Sequence, residues 1–110
     1  MPRWIRRALA RIHQLAAVER IAFTQKALDE LRVLPLDLDA LDACHILLNL
    51  NPRQCACRVL SRDTAEWLYI FKPRIAGVRL YVKLVLRGHC TVISFHEDLD
   101  NDHEQEGQAG

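Results

Sequence analysis

The spacing of apolar residues changes at Pro52 from a helical pattern to a strand pattern. Before Pro52 the apolar side chains recur every three or four positions, whereas after it they alternate with polar ones. The alternation is broken at Asp63-Thr64, Ala76-Gly77 and Gly88-His89, which leaves strands at approximately 54–61, 65–74, 78–87 and 90–97. The sequence therefore predicts an α+β fold, with N-terminal helices packed on one face of a C-terminal antiparallel sheet of about four strands.

Three helices are predicted before Pro52. Residues 3–17 form a basic amphipathic helix, whose apolar side is opposed by Arg3, Arg6, Arg7 and Arg11. Thr24 is the predicted N-cap of the second helix, which ends before Pro35, and a leucine-rich third helix stops near Asn51-Pro52. The first helix has the character of a membrane-surface or targeting helix, but docking on the domain's own surface or on a partner is the commoner outcome and the one we expect.

The length of 110 residues predicts one domain, which we place at 1–98. An acidic tail, 99–110, follows, and its lack of apolar residues beyond Leu99 and Ala109 predicts disorder. Since no apolar run approaches the roughly 18 residues of a membrane span, we expect a cytoplasmic protein without membrane contact. The formal net charge of +1 does not indicate nucleic-acid binding by itself, so any basic site must arise from local clustering.

The four cysteines do not have the spacing of a structural zinc site, because no Cys-x2-Cys pair occurs. Cys44 falls in a predicted helix, and Cys55 and Cys57 alternate with their neighbours as strand residues do. We interpret them as small apolar side chains, and we expect neither a metal nor a cofactor.

The predicted hairpins assign side chains to the two faces of the sheet. With two-residue turns at 76–77 and 88–89, Arg74 faces Arg79, Tyr81 faces His96 and Lys83 faces Ser94. One face is apolar and is the expected core face, formed by Trp67, Tyr69, Phe71, Leu80, Val82, Leu84, Ile93 and Phe95. The other, here called the open face, carries Lys72, Arg74, Arg79, Tyr81, Lys83, Ser94 and His96.

The open face has two interpretations. Antiparallel sheets commonly expose one polar face to solvent, and its cations are then ordinary surface residues. However, Arg74 opposite Arg79 is repulsive, and no carboxylate before Glu97 is expected on this face to relieve it. An RNA phosphate backbone would relieve it, with Tyr81 and His96 placed to move a proton or to stack on a base.

The segments Trp67-Leu68-Tyr69-Ile70-Phe71-Lys72-Pro73-Arg74, Leu80-Tyr81-Val82-Lys83-Leu84 and Val92-Ile93-Ser94-Phe95 resemble the C-terminal half of the MqsR family of toxin ribonucleases. The resemblance extends over about 19–97. That family comprises the toxins of type II toxin–antitoxin systems, with a RelE-like α+β fold, and its members cleave mRNA and are silenced by a cognate antitoxin protein. The resemblance implies an mRNA endoribonuclease with RNA and an antitoxin protein as partners, while homodimer formation stays open.

Within this resemblance, Tyr81 matches the family's catalytic tyrosine, and Lys83 and Arg74 match positions of its pattern. Ala56 and Leu68 stand where the family has a catalytic lysine and glutamine. Arg58 lies two residues beyond Ala56, so it is expected to replace the lost cation if the connection around Asp63 has an odd length.

The expected mechanism is metal-independent attack of an RNA 2′-hydroxyl on the adjacent phosphorus. His96 is the natural base, although it also fits a rim histidine, and Tyr81 acts as a donor or positioner unless nearby cations lower its pKa. Lys83 completes the predicted catalytic set. The predicted phosphate-binding residues are Arg58, Lys72, Arg74 and Arg79.

Two alternatives remain from the sequence. One is a catalytically impaired RelE-like domain that binds RNA or an antitoxin, because Ala56 and Leu68 lack the polar groups of the family. The other is a partner- or membrane-surface module that acts through the helix 1–17.

Overall fold

The structure, a computed structural model, describes residues 1–99. Its three α-helices are α1 (Arg3–Ala17), α2 (Gln25–Arg32) and α3 (Ala40–Leu48), which confirms the predicted helices. The Thr24 hydroxyl caps α2 by accepting the Ala27 N–H at 3.1 Å, and Asp39 caps α3 through a reciprocal capping box. The predicted tail, 99–110, lies outside the described residues except for Leu99, which is exposed.

In this described part of the chain, six strands form a mixed sheet in the order β1-β6-β5-β3-β2, with β4 pairing beside β5. They are β1 (Ile21–Phe23), β2 (Cys55–Leu60), β3 (Trp67–Phe71), β4 (Arg74–Ile75), β5 (Val78–Leu86) and β6 (Cys90–Glu97). A short 3₁₀ turn, Pro52–Gln54, leads into β2. The α+β class is as expected, but β1 lies between α1 and α2 and so departs from the expected order of helices followed by a sheet.

The expected four-stranded antiparallel sheet is wrong in strand number and in one pairing. Strand β1 pairs in parallel with β6. Its three residues are too few for the local sequence pattern to indicate this pairing. The predicted strand 65–74 is interrupted after Phe71, and Arg74 and Ile75 form the separate strand β4. Pro73 lies in this interruption and has no N–H to donate to a ladder.

The core lies between the helices and one face of the sheet. Helix α1 contributes Ala8, Leu9, Ile12, Leu15 and Ala16, each 5 % exposed or less, while its four arginines face outward. Helix α1 therefore docks on its own domain, which is one of the two placements expected for it. Among residues 1–99 no helix combines the length and the hydrophobicity needed to cross a membrane.

The sheet contributes a slightly different set of core side chains from the expected one. Phe71, Val82 and Phe95 are fully buried as predicted, but Trp67 is 40 % exposed at the end of β3. Ile93 is only half-buried, and Val92 takes its place opposite Leu84.

The turn between β5 and β6 explains why Val92 replaces Ile93 opposite Leu84. It also affects which residues of β5 and β6 face each other on the open face. The loop has three residues, 87–89, instead of two, so Leu86 pairs with Cys90 and the register is displaced by one. An irregularity in the ladder between Lys83 and Leu84 leaves Ile93 as the extra residue and restores the register. The two displacements cancel, and Tyr81 pairs with His96 as predicted.

Candidate active site

The open face is the side of the sheet that points away from the helices. Because successive strand residues point to opposite faces, the buried core residues Phe71, Val82 and Phe95 direct their neighbours outward. These neighbours include Lys72, Tyr81 and His96. The structure therefore brings the predicted proton carriers and one predicted cation together on one surface.

Tyr81 and His96 stack directly on each other across the β5–β6 ladder. Their ring centroids are 4.9 Å apart and the ring planes differ by 10°. The Nζ of Lys72 lies 5.8 Å from the centroid of the Tyr81 ring, on the strand side away from His96. A cation just beyond β3 thus lies beside the two proton-carrying rings of β5 and β6.

The protonation of the two rings follows from their surroundings. The Nδ1 of His96 lies 2.9 Å from the carbonyl oxygen of Glu97, which accepts a hydrogen bond only if Nδ1 carries the proton. In the neutral ring, Nε2 is then the unprotonated nitrogen and can accept a proton. Burial, with the nearby Cys57 and Asp98 adding to it, raises the pKa of Tyr81 above its ordinary value of 10.0. Tyr81 is therefore a phenol at neutral pH and has a proton to donate.

Lys83 lies one row from this pair, opposite Ser94 of β6 and Ile70 of β3. It forms no ion pair with any of residues 1–99, so its charge is available to a ligand. Ser94 is 3 % exposed, and its hydroxyl lies 3.0 Å from the Nζ of Lys26 of α2. No local sequence pattern indicates Lys26, because the contact joins residues 68 positions apart.

Glu30 is a second α2 residue at this border. Its carboxylate accepts the backbone N–H of Phe95 at 2.9 Å and pairs with Lys26 at 2.8 Å. Burial opposes ionisation, but hydrogen bonds from Lys26 and Phe95 and the nearby His96 together lower the pKa of Glu30. An anion thus faces the His96 side of the site.

Asp98 is the main residue that the sequence analysis missed. Its carboxylate lies 3.3 Å from Lys72 Nζ and 3.1 Å from Arg79 Nε, and its side chain is 4 % exposed. The backbone extends the β5–β6 pairing by one residue, since the Asp98 N–H donates to the Arg79 carbonyl at 2.8 Å. The sequence expectation concerned carboxylates before Glu97, and Asp98, which lies just beyond it, relieves the cationic repulsion on this face. The spacing of the two residues could have indicated this, because Asp98 follows His96 by two residues and residues two apart in an extended chain point to the same face.

The predicted phosphate-binding residues thus differ in whether they already have an ion-pair partner. Lys72 and Arg79 are held by Asp98, whereas Arg74 is exposed and has no ion-pair partner within residues 1–99. Arg74 faces Arg79 across β4 and β5 as predicted. An anionic ligand would meet Arg74 directly and would compete with Asp98 for the other two.

Arg58 does not join the open face, which corrects its predicted placement. It pairs with Tyr69, which lies on the helix side of the sheet. Its guanidinium lies 3.9 Å from the Trp67 ring centroid and 4.6 Å from that of Trp4 in α1. We call these three residues the indole clamp. The cause is the connection after β2, in which Ser61 pairs with Glu66 around an even four-residue loop, so Arg58 turns to the helix side.

The two positions that depart from the family pattern are both apolar in the structure. Ala56 is the irregular residue of β2 and is exposed, between Cys55 opposite Phe71 and Cys57 opposite Ile70. Leu68 lies on the open face opposite Val85. Neither side chain can donate or accept a hydrogen bond.

Other parts of the surface offer less chemistry. A cavity of about 660 Å³ lies between the start of α1 and the 3₁₀ turn, and its lining is mostly apolar: Met1, Pro2, Ile5, Asn51, Pro52 and Arg53. Within residues 1–99, no three His, Cys, Asp or Glu side chains come together as metal ligands. Cys57, the exposed thiol, lies on the open face near Tyr81.

The open face can therefore accept a proton at His96, donate one at Tyr81 and hold negative charge near Lys83 and Arg74. These are the functions required for an internal phosphoryl transfer, in which an alcohol is deprotonated and a leaving oxygen is protonated. Searches among models of known protein families and among curated proteins found no match to this chain.

Proposed function

We propose that this protein is an mRNA endoribonuclease of the toxin class, a divergent relative of the MqsR toxins with a RelE-like fold. The observation that carries the proposal is the stacked pair of Tyr81 and His96 on the open face, 4.9 Å between centroids, with Lys83 one row away. The sequence resemblance supports the same site, because its catalytic tyrosine falls on Tyr81.

The proposed reaction uses the RNA 2′-hydroxyl as the nucleophile. His96 Nε2 takes its proton, the 2′-oxygen attacks the adjacent phosphorus, and the P–O5′ bond breaks. Tyr81 protonates the departing 5′-oxygen, and the product carries a 2′,3′-cyclic phosphate. Lys83 and Arg74 stabilise the negative charge of the phosphorane. General acid–base catalysis of this type contributes roughly 10²–10⁴-fold to the rate.

A second candidate is an RNA- or antitoxin-binding domain of the same fold that does not cleave. The specific observation in its favour is that Asp98 holds Lys72 and Arg79, while Ala56 and Leu68 provide no polar group. The third candidate function, a module that acts on a membrane surface through α1, has less support, because the apolar side of α1 is already buried in the core.

The test is cleavage of RNA by the purified chain and by Tyr81→Phe, which removes the phenolic hydroxyl but keeps the ring that stacks on His96. We expect Tyr81→Phe to reduce the cleavage rate by about 100-fold or more and His96→Gln to do the same. Tyr69→Phe is the matched control, because this tyrosine lies on the helix side of the sheet and should leave the rate unchanged.

The products distinguish the candidates. A 2′,3′-cyclic phosphate end that disappears when the substrate carries 2′-deoxyribose at the cut site supports the proposed reaction. Equal cleavage by Tyr81→Phe and the original chain would place the chemistry elsewhere. RNA binding without cleavage, together with unimpaired growth of cells expressing the chain, would favour the binding domain.

A further inference from the structure

The last described residues begin a regular acidic pattern. Asp98 is the first of five acidic residues spaced two apart, followed by Asp100, Asp102, Glu104 and Glu106. In an extended chain, residues two apart point to the same side. Asp98 itself points to the open face, where it pairs with Lys72 and Arg79.

The charge of the chain is divided unequally about this point. Residues 1–99 contain all 15 lysines and arginines but ten of the 14 acidic residues, a formal net charge of +5. The segment 100–110 carries the other four acids and no lysine or arginine, a formal charge of −4. The near-neutral total therefore conceals a cationic domain and an anionic segment that are joined at Asp98.

The open face has cations to receive this segment. Arg74 lies in the same cross-strand row as Arg79 and Asp98, and Lys83 lies four residues along β5 from Arg79. Neither Arg74 nor Lys83 has an ion-pair partner within residues 1–99. The distance from Arg79 to Lys83 along the strand is about 13 Å, and seven extended residues span about 23 Å, so the segment 100–106 is long enough to turn back and reach it.

We propose that the acidic segment 100–106 docks on the open face of its own chain, anchored by Asp98, and competes there with polyanions. Its carboxylates pair with Arg74 and Lys83 and screen the stacked Tyr81 and His96. The docking contact does not depend on the proposed ribonuclease function, whereas the competition with RNA does. The exposed arginines of α1 are a less suitable partner, because α1 packs on the helix side and the segment starts on the open face.

Two charge-matched variants test the proposal in the full chain. The first neutralises the segment with Asp100→Asn, Asp102→Asn, Glu104→Gln and Glu106→Gln. The second removes the same four charges from exposed positions elsewhere, with Glu19→Gln, Asp29→Asn, Asp37→Asn and Asp63→Asn. Both raise the formal net charge from +1 to +5, so a difference between them reports the location of the acids and not their number.

The first readout is the affinity for a fluorescein-labelled uridine decamer at about 50 mM salt, where electrostatic binding is strong. A tethered segment acts at a millimolar effective concentration, so a contact with a dissociation constant of about 0.1 mM would weaken decamer binding about tenfold. We therefore expect the first variant to bind about tenfold more tightly than the original chain and the second variant to show a clearly smaller gain. Equal gains in both variants would overturn the competition.

The second readout is independent of RNA and compares backbone amide shifts of the original chain and the first variant by NMR. We expect the largest changes at Arg74, Arg79 and Lys83. Changes confined to the α1 arginines, or no change outside the segment, would overturn the docking. Shifts on the open face without decamer binding by any variant would support the docking and count against the proposed ribonuclease function.

Discussion

Removal of the Asp98 charge perturbs both the stability of this protein and the charge of its open face. Asp98→Asn retains the shape of the side chain, which is 4 % exposed, but abolishes its ion pairs with Lys72 at 3.3 Å and Arg79 at 3.1 Å. We expect opposite effects on two properties: the protein becomes less stable, and its open face becomes more attractive to RNA.

The loss of stability can be bounded from the exposure of the three side chains. Breaking a fully buried ion pair costs about 3–5 kcal/mol, and breaking an exposed one costs about 0.2–1 kcal/mol. Lys72 and Arg79 are 35 % and 40 % exposed, so water solvates them once they are released, and the cost lies between these limits. We expect Asp98→Asn to lower the free energy of unfolding by about 1–2 kcal/mol, or Tm by about 10 °C for a domain of this size.

The gain in RNA binding has a measurable salt signature. Two released cations neutralise up to two further phosphates, and each adds about −0.7 to the slope of log affinity against log salt for single-stranded RNA. Urea unfolding followed by circular dichroism measures the first effect, and fluorescence anisotropy of a labelled decamer at several salt concentrations measures the second. The control is Asp63→Asn, which removes the same charge from an exposed loop.

The reasoning would be refuted in either of two ways. If Asp98→Asn unfolds at the same urea concentration as Asp63→Asn, Asp98 does not hold the two cations. If the two variants bind the decamer with the same affinity and salt slope, Lys72 and Arg79 are not part of the RNA surface.

Three further predictions concern separate features. The side-chain hydrogen bonds from Arg87 lower the pKa of Glu66 to about 2. The stability that Glu66 contributes is therefore present above its ordinary pKa of 4.5 and is lost as the pH falls towards 2. In acid unfolding, Glu66→Gln should remove this pH dependence, whereas Asp63→Asn should keep it. Arg58→Ala opens the indole clamp and should lower the free energy of unfolding by about 1–2 kcal/mol with a change in tryptophan emission, whereas Arg62→Ala should change neither. Because burial raises the pKa of Tyr81, the tyrosinate absorbance that Tyr81→Phe removes should develop above pH 10.0, and an ionisation near neutral pH would contradict its role as a proton donor.

The sequence by itself determined the elements whose signals are local. The apolar periodicity of α1, the Thr24 cap and the alternation after Pro52 each depend on neighbouring residues. The structure has α1, the cap and three of the four predicted strands where they were expected. The pairing of Tyr81 with His96 was also predicted, although by way of an incorrect turn. It held because the longer loop and the irregularity at Ile93 displace the register in opposite directions.

Tertiary structure decided the features that join distant parts of the chain. The three residues of β1 are too short to show a strand pattern, and their pairing depends on β6, about 70 residues later. The even loop between β2 and β3 sends Arg58 to the indole clamp, since a change of one residue inverts the face of every side chain on a strand. Asp98 became a partner of Lys72 and Arg79 only because β6 continues beside β5, so the charge balance of the open face was fixed by register and not by composition.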